Sequence, residues 1–224
     1  MRAVLLLLCS CTAAIAQEIE CYGSVSNGRI EHAVQLPSAG ENFESYSSLA
    51  ELLGRNYVHR KVRDVLLDAF AALAKSHPDW RFKYAETGGK SGGRFRPHKT
   101  HQNGLSVDLM IPVRRIDSDE PAMISTNILN KWGYNVEFDK QGRNDDYVVA
   151  FDLLAAQLRA ISDATKKQRL GIAKVIVTPD FHAALFETKN GAYLRKTLPF
   201  MKTEAWVRHD EHFHIDFDYP CKKR

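Results

Sequence analysis

Residues 209–219 read HDEHFHIDFDY, and this stretch sets the architecture that we expect for the chain. From position 212 onward every second residue is apolar, and the residues between are His212, His214, Asp216 and Asp218. A period of two is the pattern of a β-strand that buries one face. We therefore predict a C-terminal strand that presents His212 and His214 together on the face opposite Phe213.

Other periodic segments upstream predict a chain of mixed α and β structure. Strands are predicted at 80–84, 105–111 and 172–177, and helices at 61–76, 147–164 and from Thr178 onward. Residues 22–48, rich in Gly, Ser and Asn, predict an irregular N-terminal wrap. Because these elements follow no regular βαβ rhythm, we expect an α+β fold, with one small antiparallel or mixed sheet and helices packed on it.

The nine histidines are unevenly placed and predict a metal site. His101 ends a glycine-rich loop, and Asp108 follows on the predicted strand 105–111. On the C-terminal strand, one of His212 and His214 can bind a metal while the other stands beside it. Two imidazoles and one carboxylate are a common protein complement for catalytic zinc and leave a position for water.

A zinc site of this kind needs a basic group beside it. The ion lowers the pKa of its water to about 7, and a neighbouring base takes the proton and delivers it to a leaving amine. His212 is the first candidate for this base because it shares the face of His214, and His209 is the second. Glu211 is chemically suitable, but strand alternation would point it away from His214.

The N-terminal residues predict a signal peptide at 1–16, with an apolar run from Ala3 and a small-x-small cleavage site at Ala14–Ala16. An uncleaved anchor or a lipoprotein are the alternatives. Residues 17–224 suit a single domain, without stable membrane insertion after cleavage. Of four cysteines, Cys21 and Cys221 remain in the mature chain, and in an oxidising compartment they predict one disulfide.

The charge pattern gives little support to nucleic-acid binding. The formal net charge is +4, and the basic residues are scattered apart from a run at 222–224. A mild positive field would suit an anionic polymer.

Two segments resemble the signatures of the penicillin-insensitive murein endopeptidases. They are Gly92–Phe95 followed by His98–Asp108, which reads HKTHQNGLSVD, and the C-terminal HDEHFH. The resemblance implies a periplasmic zinc endopeptidase with the fold of lysostaphin-type, D-Ala-D-Ala and hedgehog-like domains. The expected substrate is the D-alanyl–diaminopimelate cross-link between peptidoglycan stem peptides.

Carried over by position, the resemblance implies that His101, Asp108 and His214 hold one zinc ion. It places His212, His209 and His98 beside the metal. For a further metal-proximal group, Asp145 and Asp146 are the nearest chemical substitutes. A turn after Gly142 is the favoured role for this pair, and a second ion is not expected.

Several alternatives stay open at this level. Arg94 would bind a substrate carboxylate or stabilise its loop, and Trp206 would line a cleft or belong to the core. The same metal chemistry would serve a D-Ala-D-Ala carboxypeptidase. A domain that binds peptidoglycan and keeps zinc without turnover is the alternative from another class.

Overall fold

The computed structural model describes residues 18–224. The predicted signal peptide, residues 1–16, lies outside the described residues. The strands are Glu20–Ser24 (β1), Asn27–Glu31 (β2), Val34–Gln35 (β3), Phe43–Ser45 (β4), Tyr57–Val58 (β5), Phe82–Tyr84 (β6), Ser106–Met110 (β7), Val113–Arg115 (β8), Pro121–Ala122 (β9), Tyr147–Val149 (β10), Gly171–Ile176 (β11) and His212–Asp218 (β12). The α-helices are Ser48–Leu52 (α1), Arg60–Ser76 (α2), Phe151–Lys167 (α3), His182–Glu187 (α4) and Gly191–Thr197 (α5). 3-10 segments occupy Ile128–Gly133, which is kinked at Asn130–Trp132, and Pro179–Phe181.

A five-stranded sheet forms the centre of the molecule, in the order β11-β12-β7-β6-β4. Its pairs are antiparallel except for β4 and β6, which run parallel, so the sheet is mixed. All five residues of β7 and the first six of β12 are buried. The predicted α+β class and both of these predicted strands are confirmed.

Helix α2 packs on the sheet through the apolar stripe that its sequence predicts. Val62, Val65, Leu66, Ala69, Phe70 and Leu73 are its buried residues. The Phe70 ring lies 4.6 Å from the ring of Phe43 on β4 and 6.0 Å from that of Phe82 on β6. His59 caps the helix, since its Nδ1 accepts the amide hydrogen of Lys61 at 3.2 Å. Helix α3 packs in turn against α2.

Residues 22–48 are not an irregular wrap, and that prediction is wrong. β1 and β2 form an antiparallel hairpin with Ser24 opposite Asn27, which leaves Val25 and Ser26 as a two-residue turn. Short connections of this kind are the commonest in hairpins. The hairpin contacts the loop that carries His101, because the amide of Gln102 donates to the carbonyl of Val25 at 3.0 Å.

The helix predicted at 147–164 begins later than expected. Tyr147–Val149 form β10, which pairs with β8, and the helix runs from Phe151 to Lys167. Tyr and Val fit a pleated surface well, and β8 offers that segment a partner which helical spacing does not reveal. The strand predicted at 172–177 is present, but it lies at the sheet edge and is half exposed rather than buried.

Lys83, the central residue of β6, is buried although it is a lysine. Its Nζ donates to the carbonyl of Ile124 at 3.1 Å and to Oγ1 of Thr126 at 3.0 Å. These bonds replace water for the ammonium group and tie β6 to the segment before the Ile128–Gly133 turn.

The predicted disulfide between Cys21 and Cys221 is present and joins β1 to the segment after β12. The amide of Lys222 donates to Cys21 and the amide of Gly23 donates to Lys222, each at 2.9 Å. Among residues 18–224, no helix combines the length and the apolar character that crossing a bilayer requires.

Candidate metal centre

The pairing of β7 with β12 brings the two histidine clusters together. In the antiparallel register Asp108 lies directly opposite His214, and Ser106 lies opposite Asp216. Side chains at alternate positions share a face of the sheet. The two strands therefore place an aspartate from one cluster against a histidine from the other, although 106 positions separate them in sequence.

His101 points a free lone pair at the carboxylate of Asp108. Its Nδ1 lies 3.0 Å from the carbonyl oxygen of Thr87, and since a carbonyl only accepts, Nδ1 donates. Burial lowers the pKa of His101, so the ring is neutral and Nε2 carries no proton. That Nε2 is buried, has no hydrogen-bond partner among the described residues, and lies 3.3 Å from Oδ1 of Asp108. Two acceptors facing each other in a buried site call for a cation between them.

The backbone conformation of His101 also indicates a functional role for this residue. Its φ is +67°, in the left-handed region that residues other than glycine seldom adopt. Conformations of this kind persist where the surrounding structure enforces them, and they cluster at functional sites.

His214 lies between two carboxylates. Its Nδ1 is 2.8 Å from Oδ1 of Asp108, and its Nε2 is 2.7 Å from Oδ1 of Asp216. Burial opposes a charge on the ring, but the hydrogen bonds to both aspartates outweigh it and raise the pKa of His214 to about 10. A positive charge is thus strongly favoured at this position, and a divalent cation bound by Asp108 and Nδ1 would supply it.

Asp108 is the point on which the other side chains converge. It is buried, and its Oδ1 accepts a hydrogen bond from Nδ1 of the cationic His214 at 2.8 Å. The hydroxyl of Tyr134 donates to its second oxygen, Oδ2, at 3.2 Å. The carboxylate is therefore ionised and oriented from both sides.

His98 reaches the same carboxylate from the loop before His101. Its Nδ1 lies 3.7 Å from Oδ2 of Asp108. His98, His101 and Asp108 each offer a ligand atom, and these atoms lie within 4.8 Å of one another, so the three could hold a metal ion. His214 joins them through the oxygen of Asp108 that also faces His101.

A buried ion pair fixes His98. Glu86 accepts a hydrogen bond from Nε2 of His98 at 2.8 Å and from the hydroxyl of Tyr46 at 2.7 Å, and it forms a two-point ion pair with Arg55. Burial opposes its ionisation, but the hydrogen bonds from Arg55, His98 and Tyr46 lower the pKa of Glu86 to about 2. Because Nε2 donates to this carboxylate, Nδ1 is left to face Asp108.

Two further histidines stand beside the candidate ligands. The ring of His209 lies 4.5 Å from that of His212 and 6.4 Å from that of His214. Burial lowers the pKa of His209 to about 3 and that of His212 to about 4, so both rings are uncharged at neutral pH. Nδ1 of His209 donates to the carbonyl of Val207 at 2.9 Å, which leaves Nε2 as a free base.

Glu211 does not point away from the site, contrary to the expectation from strand alternation. β12 begins at His212, so alternation does not constrain Glu211, and its Oε1 lies 2.7 Å from Nδ1 of His212. Burial raises the pKa of this carboxyl group to about 8. Glu211 and His212 thus form a buried pair that shares a proton.

These groups open onto a cleft of about 880 Å³. His98, Asp108, His209, His212 and His214 are among the residues of its wall. Further lining residues include aromatic and cationic side chains (Lys99, Lys131, Trp132, Lys174, Trp206 and Arg208) together with the acidic Glu137 and Glu204. Trp206 is 52% exposed, so it belongs to the cleft and not to the core.

The structure thus gathers most of the predicted site residues, but not all of them. Arg94 is exposed and is not part of the cleft wall, so its contact with substrate stays a prediction. Asp145 and Asp146 lie in an exposed turn before β10, away from the wall.

Sequence reasoning missed the residues that orient the predicted ligands. Asp216 had a signal, because it follows His212 and His214 at the same spacing of two on one strand. Glu86 and Ser106 had none, since their roles depend on strand register and on the packing of distant loops.

The fold and the site define an α+β protein whose cleft combines a candidate metal centre with uncharged imidazoles, an arrangement typical of hydrolytic enzymes. The chain belongs to the penicillin-insensitive murein endopeptidase family, whose model matches residues 21–224. It is therefore a peptidase, of a family described as acting on murein, the peptidoglycan of the bacterial cell wall. No curated protein matches the chain.

Proposed function

We propose that this protein is a zinc-dependent endopeptidase that hydrolyses cross-links of the D-alanyl–diaminopimelate type between peptidoglycan stem peptides. His101, Asp108 and His214 would hold one zinc ion, with His98 beside them. The observation that carries the proposal is the unprotonated Nε2 of His101, which faces the Asp108 carboxylate at 3.3 Å with no proton donor between them. Imidazole and carboxylate donors in a small set suit zinc.

The chemistry divides between the ion and the chain. Zinc held by this set would polarise the scissile carbonyl and make water nucleophilic near neutral pH. Nε2 of His209 is free to accept a proton from the attacking water, because its Nδ1 donates to a backbone carbonyl. His212 shares a proton with Glu211 at 2.7 Å and would deliver one to the leaving amine.

The cleft wall suits a peptide that carries free carboxylates. Lys99 and Lys131 line it and form no ion pair within 4.0 Å among the described residues. Nζ of Lys99 lies 5.6 Å from the centre of the Trp206 ring, so a cation and an exposed aromatic face stand together. Stem peptides offer both carboxylates and aliphatic surface to such a wall.

The disulfide supports an extracytoplasmic location, because disulfides form and persist in oxidising compartments. The family points the same way, since peptidoglycan lies outside the cytoplasm. We place the mature protein in the periplasm after removal of residues 1–16, without stable insertion in the membrane.

The test is incubation of the purified protein with cross-linked muropeptide dimers, with and without a chelator, followed by mass spectrometry. We expect conversion of dimers to monomers, loss of this activity with chelator, and recovery when zinc is added back. Release of terminal D-alanine alone would indicate that the protein is a D-Ala-D-Ala carboxypeptidase and not an endopeptidase.

A variant series separates catalysis from binding. His212→Gln and His209→Gln should each lower turnover by about 100-fold or more while zinc content stays at one ion per chain. His77→Gln is the matched control, since His77 is only partly buried, at the end of α2 and outside the cleft. If the unaltered protein binds zinc but cleaves no muropeptide, the enzyme proposal is wrong and a peptidoglycan-binding domain is the supported alternative.

A further inference from the structure

Ser106 and Asp216 lie behind the candidate ligands rather than in the cleft. They face each other across β7 and β12, two positions along from the pair formed by Asp108 and His214. Both are almost fully buried, Ser106 with 0% and Asp216 with 2% of its surface exposed. Burying a carboxylate costs free energy unless polar partners surround it. The contacts of Asp216 therefore require an explanation.

A chain of hydrogen bonds runs through these two residues and joins both histidine ligands. The ring of His214 donates from Nε2 to Oδ1 of Asp216 at 2.7 Å. The hydroxyl of Ser106 donates to the same oxygen at 2.7 Å, and it accepts the backbone amide of His101 at 3.3 Å. One carboxylate therefore holds the ring of one ligand and, through a hydroxyl, the backbone of the other.

This chain determines which nitrogen of His214 faces the site. Because Asp216 accepts the hydrogen on Nε2, Nδ1 is the atom directed at Asp108, 2.8 Å away. Carboxylates that accept from the second nitrogen of a metal-bound histidine fix its ring orientation, and their loss typically weakens metal binding.

We propose that Asp216, supported by Ser106, is a positioning residue that sets the metal affinity of the site. The proposal rests on the proposed function, since it takes His101, Asp108 and His214 as the metal ligands. Asp216 does not touch the ion. It acts by holding His214 in one orientation and by linking that ring to the loop of His101.

Lys174 connects this pair to the cleft. Its Nζ lies 3.6 Å from Oδ2 of Asp216, an oxygen with no hydrogen-bond partner among the residues that the structure describes. Lys174 stands on β11, and its side chain is 45% exposed in the cleft wall. A cation at the outer oxygen leaves Oδ1 for His214 and Ser106.

The test is zinc affinity, measured by competition with a chromophoric chelator on the metal-free protein. Asp216→Asn should weaken zinc binding by about 10-fold and Asp216→Ala by up to about 100-fold. Ser106→Ala should give a smaller loss. Asp218→Asn is the matched control, because Asp218 lies on the same strand and is exposed, and we expect it to bind zinc as the unaltered protein does.

A second measurement separates positioning from a general structural role. Thermal unfolding of each variant is followed in chelator and again in excess zinc. If Asp216 positions a ligand, Asp216→Asn reduces the rise in Tm that zinc produces, beyond any change in the metal-free Tm. A lower metal-free Tm with an unchanged zinc increment and unchanged affinity would overturn the proposal.

Asp108→Asn distinguishes this failure from failure of the metal site itself. If Asp108→Asn abolishes zinc binding while Asp216→Asn binds like the Asp218 control, the metal site stands and the positioning role is wrong. If the unaltered protein binds no zinc, or binds it independently of Asp108, both proposals fail.

Discussion

Cys21 and Cys221 close a covalent loop around nearly the whole described chain, with a sequence separation of 200. Replacing both with serine opens this loop while leaving the two backbone hydrogen bonds that join β1 to Lys222. The change therefore acts mainly on the unfolded chain, which gains the freedom that the link removed.

The expected magnitude follows from loop length. The chain-entropy relation gives about 5 kcal/mol at 25 °C for a loop of this size. A domain of roughly 200 residues loses about 2–4 °C of Tm for each kcal/mol, so the double variant should unfold about 10–20 °C lower.

The disulfide also contacts the loop that carries His101. Nδ2 of Asn103, two residues after His101, donates to Sγ of Cys221 at 3.6 Å. The hairpin that Cys21 anchors also accepts from Gln102. We therefore expect the folded Cys21→Ser/Cys221→Ser protein to bind zinc more weakly as well.

The assay is thermal unfolding by circular dichroism in chelator, so that metal does not contribute, with zinc affinity measured separately below the transition. Ser26→Ala, in the exposed turn of the same hairpin, is the control. A fall in Tm of less than about 3 °C would refute the reasoning, because it would mean that the link does not constrain the unfolded state as its length predicts.

Three further predictions follow from local contacts. Burial lowers the pKa of His59 to about 4, so the unfolded state takes up its proton first as the pH falls from 6.5, and stability is lost down to pH 4. His59→Asn can still cap α2. Between pH 6.5 and pH 4 its free energy of unfolding, measured with urea, should fall by roughly 1–2 kcal/mol less than that of the unaltered protein, after allowing for screening. His77→Asn should match the unaltered protein. Gly104→Ala should destabilise by about 3 kcal/mol, because φ is +76° and the new methyl group would lie 2.8 Å from the amide nitrogen of His59. Gly93→Ala has a similar φ of +80° and open space, so it should cost about 1 kcal/mol in the same unfolding assay. Tyr134→Phe removes the hydroxyl that donates to Asp108, the proposed ligand, at 3.2 Å and should weaken zinc binding by about tenfold. Unchanged affinity in chelator competition would contradict this.

Local periodicity was sufficient for the elements that hold the site. The strict alternation in β12 and the apolar stripe of α2 each record how one element meets the core, so they predict that element without knowledge of the rest. Periodicity failed to predict the strand Tyr147–Val149, because that strand depends on pairing with β8, a segment that lies far away in sequence.

The candidate ligands could be predicted from chemistry and spacing, but the residues that orient them could not. Glu86 belongs to no motif, and it reaches His98 because a strand end, a loop and Arg55 pack together. Glu211 was misjudged for a related reason, since strand alternation does not extend beyond the first residue of β12.

The register of β7 against β12 positions the candidate metal ligands, whereas other segments form the cleft surface that would contact a substrate. That register places Asp108 directly opposite His214. The cleft wall around them comes largely from the connecting segments 131–137 and 201–208, which lie outside both strands. Substitutions there, other than at Tyr134, would reshape the surface of the cleft and leave the geometry of the candidate metal centre in place. The fold can therefore acquire new peptide preferences without rebuilding its chemistry.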